Sequence, residues 1–150
     1  MDLMQRRRDI MKGDDYLAGW QMDKGLSSTG AELNQAGNLL SPHFDIIGNN
    51  YFSVKIWQTK PANVVNGMET FDEQGKVIDR RNTNYTNGSY RLNGVSIRIV
   101  CKADDIDYCY IYDISAARYI WAGKNVDTTA PPNRLIDNNL YGIAEERSAV

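Results

Sequence analysis

The clearest pattern along the chain is the alternation of apolar and polar residues from Asn50 to Trp57. Because successive side chains on a strand point to opposite faces, this pattern predicts a strand with one apolar and one polar face. Phe52, Val54 and Ile56 form the apolar face, which implies a sheet packed on a core. The polar face carries aromatic rings and would meet solvent or a partner: Tyr51, Ser53, Lys55 and Trp57.

Similar short patterns recur along the chain, separated by turn residues. They predict strands over residues 16–23, 38–47, 51–59, 64–72, 77–81, 90–101, 106–114 and 117–121, with a long loop over 24–37. Helices do not alternate with these strands, which disfavours a parallel sheet. Many short strands with frequent turns are typical of an all-β fold, an antiparallel β-sandwich or barrel.

Both ends of the chain differ from this middle part. Leu3, Met4, Ile10 and Met11 recur at a helical spacing, with arginines such as Arg7 between them. This favours a short amphipathic helical arm over residues 1–13, with a frayed terminus as the alternative. Residues 14–123 form the predicted β-sandwich domain. Residues 124–150 contain two adjacent prolines and are weakly patterned, so an extended C-terminal tail is expected.

Charge and hydropathy exclude several classes of partner. The chain has 17 basic and 19 acidic side chains and a net charge of −2, so it lacks the basic surface that nucleic-acid binding usually needs. No apolar run approaches the roughly 20 residues of a membrane span. The N-terminal arginines are not followed by an apolar segment, so we expect synthesis in the cytoplasm without signal-directed export.

The sequence offers little for catalysis or metal binding. Its clustered carboxylates lie in predicted turns, where Asp makes local hydrogen bonds, and His43 has no supporting motif. We therefore expect no enzymatic activity, no metal site and no cofactor. Cys101 and Cys109 lie in adjacent predicted strands; two reduced, buried thiols are favoured, and a disulfide bridge between them remains open.

Aromatic residues on the polar faces are the best candidates for a binding surface. Flat rings stack on the apolar faces of sugars, but they also anchor protein interfaces or pack within a sheet. Packing is the favoured interpretation and glycan contact the alternative. A covered Arg98 would also need a carboxylate, with residues 104–107 as the nearest candidates. The candidate ligand or partner surface comprises Tyr51, Lys55, Trp57, Tyr85, Tyr108, Tyr110 and Tyr112.

Three segments in order resemble a known type of module. They are "SPHFDIIGNNY" (Ser41–Tyr51), "METFDEQGKVID" (Met68–Asp79) and "LNGVSIRIV" (Leu92–Val100). Together they resemble the carbohydrate-binding-type jelly-roll modules in tail, fibre and head-decoration proteins of phages and prophages of gut bacteria, including Bacteroides-type hosts. Phe71 stands where that family has an aromatic residue, whereas Ile97 replaces the aromatic residue of the third motif.

The resemblance implies a jelly-roll-like sandwich in a non-enzymatic virion protein made in the bacterial host cytoplasm. The expected partners are other virion proteins, held through the arm residues Leu3, Met4, Arg7, Ile10 and Met11. A homo-oligomer is expected, and the analogy with fibres favours a trimer. A carbohydrate-binding module that contacts host surface glycans is the alternative. The resemblance covers residues 38–114 and does not transfer a particular ligand.

Overall fold

A computed structural model of the chain describes residues 15–56, 67–82 and 87–132. The helical arm, Trp57, Tyr85 and the tail beyond residue 132 lie outside these residues. Two short 3₁₀ helices occur, at Asp15–Leu17 and Ile106–Tyr108. The described strands are β1 (Gln21–Leu26), β2 (Glu32–Leu40), β3 (Phe44–Asp45), β4 (Asn50–Lys55), β5 (Gly67–Phe71), β6 (Val77–Asn82), β7 (Asn87–Leu92), β8 (Ser96–Lys102), β9 (Tyr110–Asp113) and β10 (Arg118–Ala122).

The strands form two antiparallel sheets, so the predicted all-β class is confirmed. The first sheet has the order β1-β2-β8-β5-β6, and the short β3 also pairs with β8. The second sheet has the order β10-β9-β4-β7. One hydrophobic cluster takes side chains from both sheets, as in a β-sandwich.

The alternation around β4 positions this core as the sequence predicts. Phe52, Val54 and Ile56 are at most 4% exposed and lie in the shared cluster. From the first sheet, Ile97 and Ile99 of β8 enter the same cluster and are fully buried. Both strands therefore direct one apolar face into the space between the sheets.

The single strand predicted over residues 90–101 is wrong, because the chain changes sheets there. β7 ends at Leu92 in the second sheet, and β8 begins at Ser96 in the first. Gly94 makes the turn between them with φ +135°, and a Cβ atom there would lie 2.9 Å from the carbonyl oxygen of Phe71. Only glycine fits this close approach. Gly94 therefore ends the apparently continuous apolar pattern and lets the chain cross from one sheet to the other.

The N-terminal predictions also need correction. Residues 16–23 do not form one strand, and the loop predicted over 24–37 is mostly the β1–β2 hairpin. The Gly, Ser and Thr residues that suggest a loop form only the tight turn at residues 27–31. There the Ser27 hydroxyl oxygen accepts hydrogen bonds from the backbone N–H groups of Thr29 and Ala31, at 3.2 and 3.1 Å.

The strand predicted over 106–114 begins later than expected. Ile106–Tyr108 forms a 3₁₀ helix, and β9 starts only at Tyr110. Ile106 is buried in the core, so the chain makes a turn to insert this side chain before the strand begins. As a result, Tyr108 does not share the strand face of Tyr110 and Tyr112.

Both cysteines are free thiols with no exposed surface. Burial, together with a hydrogen bond to the Cys109 side chain, raises the pKa of the Cys101 thiol. The thiol therefore stays protonated at neutral pH, which makes it a poor nucleophile.

The first part of the predicted C-terminal tail lies against the second sheet. The Tyr119 hydroxyl group of β10 donates to the carbonyl oxygen of Ala130 at 2.9 Å, the Asn125 N–H group donates to that of Asp107 at 2.8 Å, and Pro132 is buried. Within the described ranges, no helix has the length and apolar character that crossing a membrane requires.

Candidate functional site

A groove of about 450 Å³ lies at the β10 edge of the second sheet, on the face turned away from the core. It runs between the β9–β10 hairpin and the segment 128–131. We call it the tyrosine groove and define it by Tyr112, Arg118, Tyr119, Thr128 and Pro131. It combines aromatic rings, one guanidinium group and threonine hydroxyl groups.

The β9–β10 hairpin places the two tyrosines side by side. Tyr112 and Tyr119 are directly paired across the antiparallel strands. Asp113 holds the adjoining turn, since its carboxylate accepts hydrogen bonds from the Ala116 N–H group at 3.0 Å and from the Asn50 side chain at 3.1 Å. Ala117 completes the turn with φ +54°.

The tyrosine rings pack edge to face. The ring centroids of Tyr112 and Tyr119 are 4.8 Å apart, and those of Tyr110 and Tyr119 are 6.1 Å apart. Tyr110 and Tyr112 are buried, whereas Tyr119 is half-buried. Aromatic pairs in this geometry contribute about 0.5–1.5 kcal/mol beyond the area that they bury. The packed tyrosine rings therefore form a rigid base for the groove.

The hydroxyl group of Tyr119 connects this base to residues 127–130 on the other side of the groove. It donates to the carbonyl oxygen of Ala130 at 2.9 Å and lies 3.3 Å from that of Asp127. Burial, followed by the neighbouring Tyr110, Tyr112 and Asp127, raises the pKa of Tyr119 to about 12. The hydroxyl group is thus neutral at physiological pH and acts as a hydrogen-bond donor.

Asp127 shapes the segment that forms the second wall. Its carboxylate accepts hydrogen bonds from the side chain and the backbone N–H of Thr129, and these bonds lower the pKa of Asp127. The wall therefore carries a carboxylate that is engaged in a local turn. The half-buried Tyr119 ring, the Arg118 guanidinium and the Thr128 hydroxyl group suit reversible binding of a hydroxyl-rich ligand.

The structure brings some of the predicted surface residues together and separates others. Tyr51, Lys55, Tyr110 and Tyr112 lie on the outer face of the second sheet. Tyr51 is 43% exposed, and the Arg91 guanidinium stacks on its ring, with the Arg91 Cζ atom 4.1 Å from the Tyr51 ring centroid. Tyr108 lies apart in the 3₁₀ helix and is 54% exposed.

Sequence reasoning missed half of the groove. Tyr119 and Arg118 lie in a strand that was predicted, but β10 carries a bulge between Tyr119 and Trp121 that breaks the regular alternation. Residues 128–131 belong to the expected tail, and nothing in their composition indicates that they contact a strand. Closing the β9–β10 hairpin places Tyr119 opposite Tyr112, so this strand pairing is the sequence signal that could have identified Tyr119.

The buried Arg98 has a different partner from the one expected. Its guanidinium donates to a carboxylate oxygen of Glu32 at 3.2 Å, to the side-chain oxygen of Gln21 at 3.3 Å and to the carbonyl oxygen of Ser41 at 2.9 Å. Residues 104–107 are not among these partners. The expectation was wrong because Arg98 points away from the core, toward the β1–β2 hairpin.

No protein-family model, curated protein or solved structure matches this chain.

Proposed function

We propose that the protein is a non-enzymatic structural protein of a phage particle, a head or tail decoration or fibre component. The observation that carries this proposal is that the three resembling segments, 41–51, 68–79 and 92–100, form one connected unit in the fold. The jelly-roll-like connectivity and the virion location belong to the same proposal and rest on the resemblance.

Backbone hydrogen bonds connect the three segments at one end of the sandwich. Val95 N–H donates to the carbonyl oxygen of Phe71 at 2.8 Å, and Ile46 N–H donates to that of Val95 at 3.1 Å. Phe44 and Thr70 both pair with Ile97, on opposite sides of β8. Segments far apart in the chain thus form a single structural unit, as expected if they derive from one module.

This end of the sandwich also exposes apolar side chains. Ile47 is 57% exposed, Ile78 is 46% exposed and Val95 is 42% exposed. These residues favour contact with another subunit, and among the described residues β6 and β7 are edge strands of the two sheets. We propose other virion proteins and further copies of this chain as partners, with a trimer from the fibre analogy.

Removal of residues 1–12 tests the anchoring role of the arm. We expect full-length protein in gradient-purified particles and loss of the truncated protein from them, because the arm would supply the attachment contacts. Quantitative mass spectrometry of the particles measures incorporation, and circular dichroism of the purified truncated protein checks that the sandwich still folds. Normal incorporation of a folded, truncated protein would contradict anchoring through the arm.

A carbohydrate-binding module is the second candidate, and the tyrosine groove favours it. The groove offers the half-buried Tyr119 ring, the exposed Arg118 guanidinium and the Thr128 hydroxyl group as contacts for a sugar, and Tyr51 is exposed on the same sheet. In this alternative the ligand is a glycan of the host cell surface.

Arg118→Ala tests this candidate without disturbing the core, because Arg118 is exposed. We expect glycan retention to fall roughly tenfold or more if Arg118 is a central contact. Lys76→Ala is the control, since Lys76 is an exposed cation in the β5–β6 turn of the other sheet and lies outside the groove lining. Trp57→Ala and Tyr85→Ala are also expected to weaken retention. A glycan array without any hit for the wild-type protein would exclude this candidate.

A further inference from the structure

The β1–β2 hairpin folds back over the outer face of its own sheet. Gln21 lies at the base of the hairpin, yet its side chain donates to the Glu32 carboxylate at 3.2 Å. Glu32 pairs with Leu26, which would lie roughly 17 Å from Gln21 along a straight strand. Only a sharp bend between them allows the contact. We call residues 24–34 the flap.

An irregularity in strand pairing makes the bend. Met22 pairs with Leu39, whereas Lys24 pairs with Asn34, so the single residue Asp23 faces residues 35–38. Asp23 has φ +57° and Gly37 has φ +89°. The Gly37 N–H donates to the Asp23 carboxylate at 2.9 Å, which fixes the bend at the base of the flap.

The flap packs on its own sheet at two places, an apolar cluster near its base and a close contact at its tip. Leu26 packs with Leu40 and Val100, and all three are at most 1% exposed. At the tip of the flap, a Cβ atom on Gly30 would lie 2.9 Å from a methyl carbon of Val77 and 3.0 Å from the Phe71 ring. The tip therefore sits directly on β5 and β6, where only glycine fits.

Beneath the tip lies the buried carboxyl group of Glu69. Glu69 is 1% exposed, and neither carboxylate oxygen has a hydrogen-bond partner in the part of the chain that the structure describes. The hypothetical Cβ of Gly30 would be 3.7 Å from one of these oxygens. An ionised carboxylate in such a place is unfavourable unless a cation or a donor reaches it.

The charged groups around Glu69 come from each packed element. Arg98 of β8 and Arg80 of β6 are its directly paired neighbours across the sheet. On the flap side, Glu32 binds Arg98, whereas the tip residues 27–31 carry no charge. His43, which precedes β3, packs on Phe71 and hydrogen-bonds to Ser96 at 2.9 Å.

We propose that the flap is a pH-sensitive closure that is held shut over protonated Glu69 and released when Glu69 ionises. Ionised Glu69 requires a cation, and Arg98 is the buried one that pairs with it across the sheet. Arg98 is already bound to Glu32 of the flap. Recruiting Arg98 to Glu69 loosens that bond and, with it, the closed flap.

The direction of the pH effect follows from the environment of Glu69. Burial raises the pKa of Glu69 to about 7, although Arg80 and Arg98 oppose the increase. An exposed Glu69 in the open flap would titrate near its ordinary value of 4.5, so closure is fully stabilised below pH 4.5, weakens as the pH rises from there to about 7, and changes little above that. Burial, with the Arg98 charge, lowers the pKa of His43, whose contribution therefore has the opposite sign.

Amide hydrogen exchange at pH 6 and pH 8, corrected for the intrinsic exchange rates, tests the proposal on the full chain. We expect the opening equilibrium of residues 24–34 to rise roughly tenfold between these pH values, while the amides of β8 and β9 do not change in parallel. Glu69→Gln keeps the shape but cannot ionise, so its flap is expected to lose the rise in opening between pH 6 and pH 8, leaving only the opposite contribution of His43.

Glu73→Gln is the matched control, because Glu73 is exposed in the β5–β6 turn and should leave the wild-type pH response intact. Carbon NMR of the wild-type carboxyl groups gives an independent readout: the Glu69 midpoint should coincide with the change in flap protection. Equal flap protection at both pH values in the wild-type protein would overturn the proposal. A pH response retained by folded Glu69→Gln, or a Glu69 midpoint near 4.5, would do the same.

Discussion

Phe52→Ala is expected to lower the free energy of unfolding by about 3–5 kcal/mol. Phe52 is fully buried at the centre of the cluster shared by the two sheets. Truncation removes its transfer free energy and leaves a cavity that close-packed neighbours on both sheets cannot fill. Urea denaturation followed by tryptophan fluorescence measures the loss, because Trp20 and Trp121 belong to the same cluster.

Tyr51→Ala is the matched control for this substitution. Tyr51 precedes Phe52 on β4 but points to the opposite face and is 43% exposed. Its loss is expected to cost about 1 kcal/mol or less. Equal effects of the two substitutions would contradict the placement of the core on only one face of β4.

Arg98→Met is the second substitution with a large expected effect, a loss of roughly 2–4 kcal/mol. Methionine retains the apolar stem but removes the guanidinium. The Ser41 carbonyl and the Gln21 side chain then lose a donor, and the flap loses its Glu32 ion pair. Buried Glu69 also loses a neighbouring positive charge, which makes its ionised form still less favourable.

Thermal denaturation at pH 6 and pH 8 measures this effect, and Arg91→Met provides the comparison. Arg91 is exposed and stacks on Tyr51, so its replacement is expected to change stability by less than about 1 kcal/mol. A stability loss for Arg98→Met as small as that for Arg91→Met would show that Arg98 does not hold the flap to the sheet.

The regular strands were predictable from the sequence because alternating apolar and polar residues indicate a strand that buries one face against a core. Phe52 and Val54 on β4, Ile56 directly after it, and Ile97 and Ile99 on β8 are buried, as that pattern predicts. The turns at Gly48–Asn50 and at residues 73–76 also follow from local residue preferences, with Asn49 at φ +64°.

Features that depend on irregular backbone or on distant segments were not predictable in this way. The bend at Asp23 and Gly37 has no alternation signal, so the sequence predicts a loop over residues 24–37 where the structure has the flap. Glu69 lies between Met68 and Thr70 in an ordinary strand pattern, and its burial depends on the tip of the flap about forty residues earlier. Tyr110 and Tyr112 were found as candidates, but their partner Tyr119 required knowledge of the bulged hairpin.

Quantitative mass spectrometry of density-purified phage particles, from the host strain that encodes this chain, tests the proposed biological role most directly. We expect peptides of the chain to co-sediment with the capsid or tail proteins, at a constant copy number per particle after a high-salt wash. Recovery of the chain only in the unassembled fraction, with none bound to intact particles, would contradict a virion role.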